Sequence, residues 1–241
     1  MDIRKLLLPV IPKPILHMYR SFRCQRKKTL SQFGQDFWVF GEAFNGKQNG
    51  YFLEVGAAEG TVLSNTFLLE KKFGWRGICI EANPLLFQEL ADIRKSTCLN
   101  VCIDNQEGTV DYLLDGFLSG IIDASMDNRL ENVEKEDARV IKVKTRDLFS
   151  ILEEQKAPQV IDYFSIDVEG AETRILSEFP FDKYRFNCIT MERPTKELRN
   201  ILKQKGYVLI KEIPDLDAFY IHESFRTHYY QNMIAFWKGF A

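Results

Sequence analysis

The amino-acid sequence predicts an α/β fold in which a doubly wound, mostly parallel sheet ends in an antiparallel strand pair. From Tyr51 onward, short apolar runs rich in β-forming residues alternate with helical patterns, which is typical of βα units on a parallel sheet. The length of 241 residues suits one domain with short additions. A hydrophobic content of 45% beside 27% charged residues is ordinary for a globular protein, so a full core is expected.

Five core strands are predicted, and a helical pattern follows each of them along the chain. The strands are 51–57, 76–82, 98–104, 160–170 and 186–192. The helices are 64–72, 83–90, 146–155, 171–179 and 195–206. An inserted strand at 108–114 precedes a polar, charge-mixed segment at 123–139. Segments 207–213 and 217–224, joined by a Pro214-Asp215 turn, are predicted to form the final antiparallel pair.

The two ends of the chain differ from this central domain of residues 29–224. Residues 1–28 form a basic arm interrupted by prolines, and they are interpreted as a solvated arm or as a contact to an anionic membrane surface. Residues 225–241 form an aromatic tail that is expected to pack on the domain, with a dimer interface or lipid contact as alternatives. No apolar run approaches the roughly 20 residues of a membrane span.

Charge and cysteine content limit the partners and the compartment. A formal net charge of -2 offers no overall attraction to polyanions, so nucleic acid is not expected as a partner. Five cysteines are an odd number without the spacing of a zinc site, which favours a reduced, cytoplasmic setting with peripheral membrane contact as an option. The expected state is a monomer or a homodimer.

Polar and glycine residues follow the first predicted strand, where a doubly wound sheet binds its ligands. Glu54 stands in this strand, and Gly56 and Gly60 follow it. A carboxylate only accepts hydrogen bonds, so Glu54 would repel the pyrophosphate of a dinucleotide. The expected ligand therefore presents a cation together with hydroxyl and amine donors. S-adenosylmethionine, with its sulfonium, ammonium and ribose, meets that description.

The next two strand ends carry further hydrogen-bond acceptors. Glu81 lies 25 residues after Gly56, the spacing expected of an acid that accepts from two ribose hydroxyls, and its alternative role is the N-terminal charge of the following helix. Asn83 adds a polar edge nearby. Asp104, at the end of the third strand, is predicted to accept from an adenine amino group, and Asn105 and Gln106 are alternatives with the same capacity.

Six segments together resemble the FkbM family of S-adenosylmethionine-dependent methyltransferases. They are SQFGQDFWV (31–39), FLEVGAAEG (52–60), CIEANP (79–84), LSGI (118–121), DYFSIDVEGAE (162–172) and DAFYIHES (217–224). The resemblance implies a Rossmann-like class I methyltransferase fold and methyl transfer to a hydroxyl oxygen. It also implies that the segment 31–36 lies near the cofactor, although its spacing alone indicates a capped helix start. The resulting cofactor-binding set is Gln32, Gln35, Asp36, Glu54, Gly56, Ala57, Gly60, Glu81, Ala82, Asn83, Ile103, Asp104 and Asp167.

Acidic residues at the ends of the fourth and fifth strands are candidates for proton removal. An alcohol is a poor nucleophile until its proton is being lost. Asp167 is predicted to be the base, with Glu169 and Glu192 orienting the acceptor. A divalent cation such as Mg²⁺ held by these three residues is the less favoured alternative. His222 is the fourth catalytic candidate, with a hydrogen-bonded strand histidine as its alternative.

The resemblance implies a small-molecule or glycan acceptor, and the predicted acceptor group is a hydroxyl of a sugar in a glycan or glycoconjugate. Segment 117–125 is expected to form a wall of the acceptor pocket, and the charged segment after it to form a lid. The predicted substrate-binding residues are Ser119, Gly120, Glu169 and Arg193. The sequence MERP at 191–194 departs from the family pattern after the fifth strand, so the family's substrate does not transfer to this chain. A lipid-linked or polyketide alcohol and an inactive cofactor-binding scaffold are the alternatives.

Overall fold

The structure is a computed structural model that describes residues 30–122 and 139–239. The strands are β1 (Tyr51–Val55), β2 (Arg76–Ile80), β3 (Thr97–Leu99), β4 (Cys102–Ile103), β5 (Gly108–Leu114), β6 (Gly120–Ile121), β7 (Arg139–Arg146), β8 (Val160–Ile166), β9 (Arg185–Glu192), β10 (Tyr207–Glu212) and β11 (Asp217–His222). The helices are α1 (Gln35–Phe37), α2 (Phe67–Phe73), α3 (Pro84–Ile93), α4 (Leu148–Glu154), α5 (Glu172–Ser177), α6 (Lys196–Gln204) and α7 (Arg226–Lys238). A π-helical segment (Trp38–Ala43) follows α1, and 3₁₀ turns lie at Gly116–Leu118 and Glu223–Phe225.

Seven strands form the central sheet in the order β10-β11-β9-β8-β1-β2-β3. Neighbouring strands from β3 to β9 run parallel, whereas β11 runs antiparallel between β9 and β10. The order reverses direction at β1 and β8, which is the switch point where ligands of a doubly wound sheet bind. The predicted α/β class and the antiparallel C-terminal pair are therefore confirmed as a Rossmann-like class I methyltransferase sheet.

Helices cover both faces of this sheet because its central strands are apolar on both sides. Successive residues of a strand point to opposite faces. Leu53 packs in the core shared with α4, α5 and α6, while its neighbour Phe52 packs in the core below the π-helical segment and α2. Phe164 and Tyr163 divide between the same two cores. Burial on both faces is the reason why these strands read as continuous apolar runs.

The predicted third strand, 98–104, divides between two sheets. Its first part is β3 at the edge of the central sheet, and its last part, β4, pairs with β7 in a second sheet of order β4-β7-β5-β6. Asn100 lies at the division, and its side chain donates to the backbone oxygen of Glu81 at 2.8 Å. The chain leaves the central sheet here because the inserted hairpin of β5 and β7 offers β4 a new partner.

Three segments discussed for function lie at the limits of the described residues. The basic arm and most of the polar segment at 123–139, with its expected lid role, fall outside them. The aromatic tail forms α7, which packs on the π-helical segment through Phe236 and Phe40, with ring centroids 6.4 Å apart. Among the helices of the described ranges, none has both the length and the apolar character that a membrane crossing requires.

Candidate active site

A cavity of about 360 Å³ opens at the carboxyl ends of the central strands. Most of the predicted site residues line it, although they come from loops far apart along the chain. The predicted residues that line the cavity are Gln32, Gln35, Glu54, Gly56, Ala57, Glu81, Ala82, Ile103, Ser119, Gly120, Asp167, Glu169, Glu192 and Arg193. The predicted wall is present in part, because residues 116–121 also line the cavity.

Gly56 lets β1 and β8 approach each other at the floor of this cavity. Its φ angle is +83°, and a Cβ atom added to it would lie 1.8 Å from the backbone oxygen of Asp167. Its backbone N–H donates to Ile80 at 3.0 Å, so the turn is tied to β2 as well. Only glycine satisfies both the backbone angle and the close approach.

We expect the substitution Gly56→Ala to reduce the free energy of unfolding by roughly 4 kcal/mol or more, because backbone atoms must move apart in addition to the left-handed strain. Gly46→Ala is the matched control, since Gly46 has a φ of +77° and no atom within 4 Å of an added Cβ. The control is expected to cost only about 1–2 kcal/mol. Urea unfolding of both variants measures the difference, and equal losses would contradict the assigned role of Gly56.

The Glu54 carboxylate is held by the loop that follows Gly56. It accepts a hydrogen bond from the backbone N–H of Asn65 at 2.9 Å and from the hydroxyl of Thr66 at 2.6 Å. The guanidinium of Arg94 lies 3.2 Å away and also contacts Glu70 at 3.3 Å. The side chains of Glu54, Thr66, Glu70 and Arg94 are all buried. Arg94 therefore offsets the negative charge of Glu54, for which the sequence predicts a cationic ligand. We expect Glu54 mainly to shape this loop.

Glu81 stands at the end of β2 with its carboxylate fixed by two backbone donors. One oxygen accepts from the N–H of Ala58 at 2.8 Å, and the other accepts from the N–H of Asn83 at 2.7 Å. Burial, with a smaller contribution from the charge of Asp167, raises the pKa of Glu81 to about 7, although these hydrogen bonds oppose the shift. Such a carboxyl gains from any additional donor that a ligand brings into the cavity.

Three carboxyl groups that follow β8 or end β9 lie close together in the cavity, and they form its acidic side. One ligand atom from each of Asp167, Glu169 and Glu192 lies within 4.8 Å of the others. Burial, followed by the charges of Asp167 and Glu169, raises the pKa of Glu192 to about 10, although Arg193 lies only 2.7 Å away and opposes the shift. Glu192 and Asp167 share a hydrogen bond. Glu192 is therefore the protonated member of this hydrogen-bonded pair at neutral pH, and it donates to Asp167.

Several predicted residues support the site from outside the cavity lining. Asn83 caps α3 by accepting from the N–H of Leu85 at 3.0 Å. The carboxylate of Asp36 accepts from the N–H of Leu30 at 2.8 Å and from the hydroxyl of Ser31. A Cβ added to Gly60 would lie 2.5 Å from the Cδ1 atom of Leu90. These residues shape the loops that carry the lining residues.

Two predicted positions differ from what the structure shows. Asp104 follows β4 in the second sheet, and its carboxylate accepts from Nε of Arg174 at 2.6 Å instead of lining the cavity. His222 pairs with Tyr207 at the amino ends of the parallel strands, because β11 runs in the opposite direction. The placement of His222 beside the acids is therefore wrong, and its hydrogen bond to Ser224 supports the alternative of a bonded strand histidine.

The structure adds Asp217, which sequence reasoning did not assign. Because β11 is antiparallel, its first residue pairs in register with Glu192 at the carboxyl edge of the sheet. The Asp217 carboxylate accepts from Nε2 of Gln35 at 2.8 Å, and burial together with the charge of Asp167 raises its pKa to about 8. The antiparallel direction predicted for the last strand is the signal that could have identified Asp217, because it places the first residue of that strand at the carboxyl edge.

Asn65 is a second residue that the sequence did not single out. Its side chain lines the cavity and donates through Nδ2 to the hydroxyl of Ser165 at 2.8 Å. Its Oδ1 atom is buried, and no donor within the described ranges bonds to it. A buried acceptor without a partner costs free energy, so this atom is suited to receive a donor from a ligand.

The fold resembles solved methyltransferase structures at low sequence identity. The methyltransferase domain of METTL16 is 12% identical, with a TM-score of 0.44 over 77% of this chain and 65% of that one, so this chain spans just under two thirds of it. A fibrillarin pre-rRNA processing protein of Methanococcus jannaschii is 15% identical, with a TM-score of 0.43 over 80% of this chain and 75% of that one. Similarities at this level carry no argument about substrate.

The family assignment comes from the sequence. A comparison with curated proteins found no significant match. The Methyltransferase FkbM domain matches residues 54–209, a range that extends from Glu54 past Glu192 and includes most of the cavity lining. With more than half of the chain matched, this protein belongs to the FkbM family of methyltransferases.

Proposed function

We propose that this protein transfers a methyl group from S-adenosylmethionine to a hydroxyl oxygen of a sugar in a glycan or glycoconjugate. The observation that carries the proposal is the arrangement of one cavity: the Gly56 turn and Glu81 lie on one side, and the cluster of Asp167, Glu169 and Glu192 lies on the other. The first side suits a nucleoside with cationic groups, and the second suits a neutral acceptor that donates hydrogen bonds.

The residues of the first side fit the methyl donor. Glu81, fixed by two backbone N–H groups, can accept from both ribose hydroxyls. The Oδ1 atom of Asn65, to which no donor of the described residues bonds, can accept from the ammonium group. Ile103 and Tyr112 offer apolar surface at the third strand end, where an adenine ring would bind. The polar contact that the sequence assigned to Asp104 is absent from this arrangement, because Asp104 is paired with Arg174.

The acidic side supplies alignment and proton removal. Bound S-adenosylmethionine supplies an activated methyl group on a sulfonium, so most of the catalysis can come from holding the acceptor oxygen in line with it. Asp167, which accepts a hydrogen bond from Glu192, can accept the hydroxyl proton. Protonated Glu192 keeps a second negative charge away from that base. Glu169 and Arg193 line the same region and can orient the acceptor.

A sugar suits this side better than an extended apolar alcohol does. Carboxylates only accept hydrogen bonds, and neighbouring sugar hydroxyls can donate to Glu169 and to Asp167 together. Arg193, the only cationic side chain among the described residues that line the cavity, is paired with Glu192 at 2.7 Å. The exposed side chains of Phe117 and Leu118 form the wall against which a sugar ring can pack. A lipid-linked or polyketide alcohol remains the alternative acceptor.

A divalent cation is the alternative occupant of the acidic cluster. Three carboxyl groups with oxygens this close would suit Mg²⁺, which prefers hard oxygen ligands. We favour the shared proton because Glu192 is hydrogen-bonded to Asp167 and the guanidinium of Arg193, already a cation, lies 2.7 Å from the Glu192 carboxyl group. Activity that survives thorough chelation supports this choice, whereas activity that is lost and then restored by Mg²⁺ would replace it with the cation.

We expect Glu81→Gln to weaken binding of S-adenosylmethionine by about 10- to 100-fold, because hydrogen bonds to a charged group contribute about 1.5–3 kcal/mol and the ribose loses them. Titration calorimetry on the wild type and the variant measures this loss. Glu89→Gln is the matched control, since Glu89 lies on α3 at the surface and outside the cavity lining. No binding by the wild type at high cofactor concentration would overturn the proposed function.

The acceptor class is tested by incubating the protein with radiolabelled S-adenosylmethionine and fractionated host glycans, lipids and proteins. Label that enters the glycan fraction, and is released as a methyl ether of a sugar, supports the proposal. Label confined to the lipid fraction would favour the lipid-linked alternative. Binding of the cofactor without transfer to any fraction would favour an inactive scaffold.

A further inference from the structure

The C-terminal helix α7 exposes an apolar stripe to solvent. Tyr230, Ile234 and Trp237 are exposed by 41%, 50% and 49%, respectively. Their spacing of four and then three residues places them on one face of the helix. Large apolar side chains collected on one exposed face are typical of a contact surface.

The opposite face of α7 fixes this stripe on a rigid support. The hydroxyl of Tyr229 accepts from the indole N–H of Trp38 at 3.2 Å. The side chain of Asn232 donates to the backbone oxygen of Ala43 at 2.8 Å. Phe236 packs on the π-helical segment so closely that a Cβ added to Gly41 would lie 2.6 Å from its ring. The stripe therefore belongs to the packed domain.

Positive charge is concentrated around the same stripe. Arg226 lies four residues before Tyr230, Lys238 follows Trp237, and α7 contains no acidic residue. The first 29 residues carry eight basic residues and one acidic residue in a chain whose overall net charge is only -2. The rest of the chain is accordingly acidic, so the two ends differ in sign from the domain between them.

The basic arm joins the described domain beside α7. The backbone N–H of Leu30, the first described residue, donates to the carboxylate of Asp36 at 2.8 Å. Phe37, which follows Asp36 in the chain, contacts Trp237 with ring centroids 6.3 Å apart. Leu30, the first described residue, and the exposed stripe therefore lie on the same side of the described domain.

We propose that this stripe, with its flanking cations, docks the protein onto the surface of an anionic lipid bilayer. Tyr and Trp side chains suit the boundary between lipid headgroups and acyl chains, because each combines an apolar ring with a polar group. Arg226 and Lys238 can lie against anionic headgroups on either side of the stripe. A second copy of this chain would bring two positive helices together, which opposes self-association through the same face. The proposal does not depend on the methyl-transfer reaction.

Flotation of the full chain with lipid vesicles tests the proposal. We expect binding to vesicles that contain phosphatidylglycerol, weaker binding at high salt, and no binding to phosphatidylcholine alone. Trp38 and Trp75, the other two tryptophans of the chain, are exposed by only 1% and 2%. A blue shift of tryptophan fluorescence on vesicle addition therefore reports on Trp237.

Two double variants separate the apolar contribution from the charged one. The variant with Tyr230→Ser and Ile234→Ser is expected to weaken vesicle binding about tenfold. The variant with Arg226→Gln and Lys238→Gln is expected to weaken it about fivefold for each charge removed. Leu209→Ser, at a side chain of similar exposure (42%) on β10, is the matched control and is expected to bind like the wild type. Wild-type protein that ignores phosphatidylglycerol vesicles at low salt would overturn the proposal. Stripe variants that bind vesicles as tightly as the control would also overturn the proposal. A dimer in sedimentation that shields Trp237 would overturn it as well.

Discussion

Asp167→Asn is expected to lower the rate of methyl transfer by a factor of about 10² to 10⁴ while binding of the methyl donor persists. Asparagine keeps the shape of the side chain but cannot accept a proton as a base does. The backbone of Asp167, whose oxygen faces Gly56, is unaffected by the change. Single-turnover kinetics with a methylated product as readout, together with calorimetric titration of the cofactor, separate the chemical step from binding.

Glu192→Gln is the matched control for this experiment. Glutamine has the shape of a protonated glutamic acid, and we infer that Glu192 is protonated because burial and two neighbouring carboxylates raise its pKa to about 10. We therefore expect this variant to keep activity within about tenfold of the wild type, as a loss of ordinary hydrogen bonding implies. Equal, severe losses in both variants, with Mg²⁺ required for wild-type activity, would assign the cluster to a cation. Near-normal turnover by folded Asp167→Asn would remove Asp167 as the base.

The part of this site that the sequence predicts correctly depends on parallel strands. Parallel strands end at the same edge of the sheet, so acids that follow them, such as Glu81 and Asp167, can be placed together from their positions along the chain. The rule reverses for β11, which is antiparallel. The residue of β11 at the carboxyl edge of the sheet is therefore Asp217, which bonds to the cavity-lining Gln35, and His222 lies at the far edge.

The remaining differences come from contacts between segments that are distant along the chain. Asp104 is turned toward Arg174, 70 residues later, because the third predicted strand leaves the central sheet. Asn65 lies in a loop without a periodic pattern, and only the three-dimensional structure shows that its Oδ1 is buried beside the cavity. Local spacing contains no information about either contact. The same holds for Arg94, which approaches Glu54 from 40 residues away.

Arg94→Met is expected to reduce the free energy of unfolding by about 3–5 kcal/mol, because breaking a buried ion pair leaves an uncompensated buried charge. The Arg94 side chain is fully buried, and it lies between the carboxylates of Glu54 and Glu70 at 3.2 and 3.3 Å. Removing it leaves two buried acids facing methionine. Arg146→Met is the matched control, since Arg146 forms an exposed pair with Glu154 at 2.7 Å. An exposed pair contributes about 0–1 kcal/mol, so the control is expected to unfold almost like the wild type.

The same substitution tests what Glu54 does. In Arg94→Met, the buried carboxylates of Glu54 and Glu70 have lost their cation. If Glu54 shapes the loop from Gly56 to Thr66, adding Glu54→Gln removes one of these two uncompensated charges and is expected to recover part of the lost stability. Cofactor binding by this double variant is expected to recover as well, because the amide oxygen at residue 54 can still accept from the backbone N–H of Asn65 without a buried charge. If Glu54 instead held the cationic end of the cofactor directly, the double variant would gain stability yet lose cofactor binding. Urea unfolding and calorimetric titration on the same three proteins therefore distinguish a carboxylate that organises the turn from one that binds the ligand.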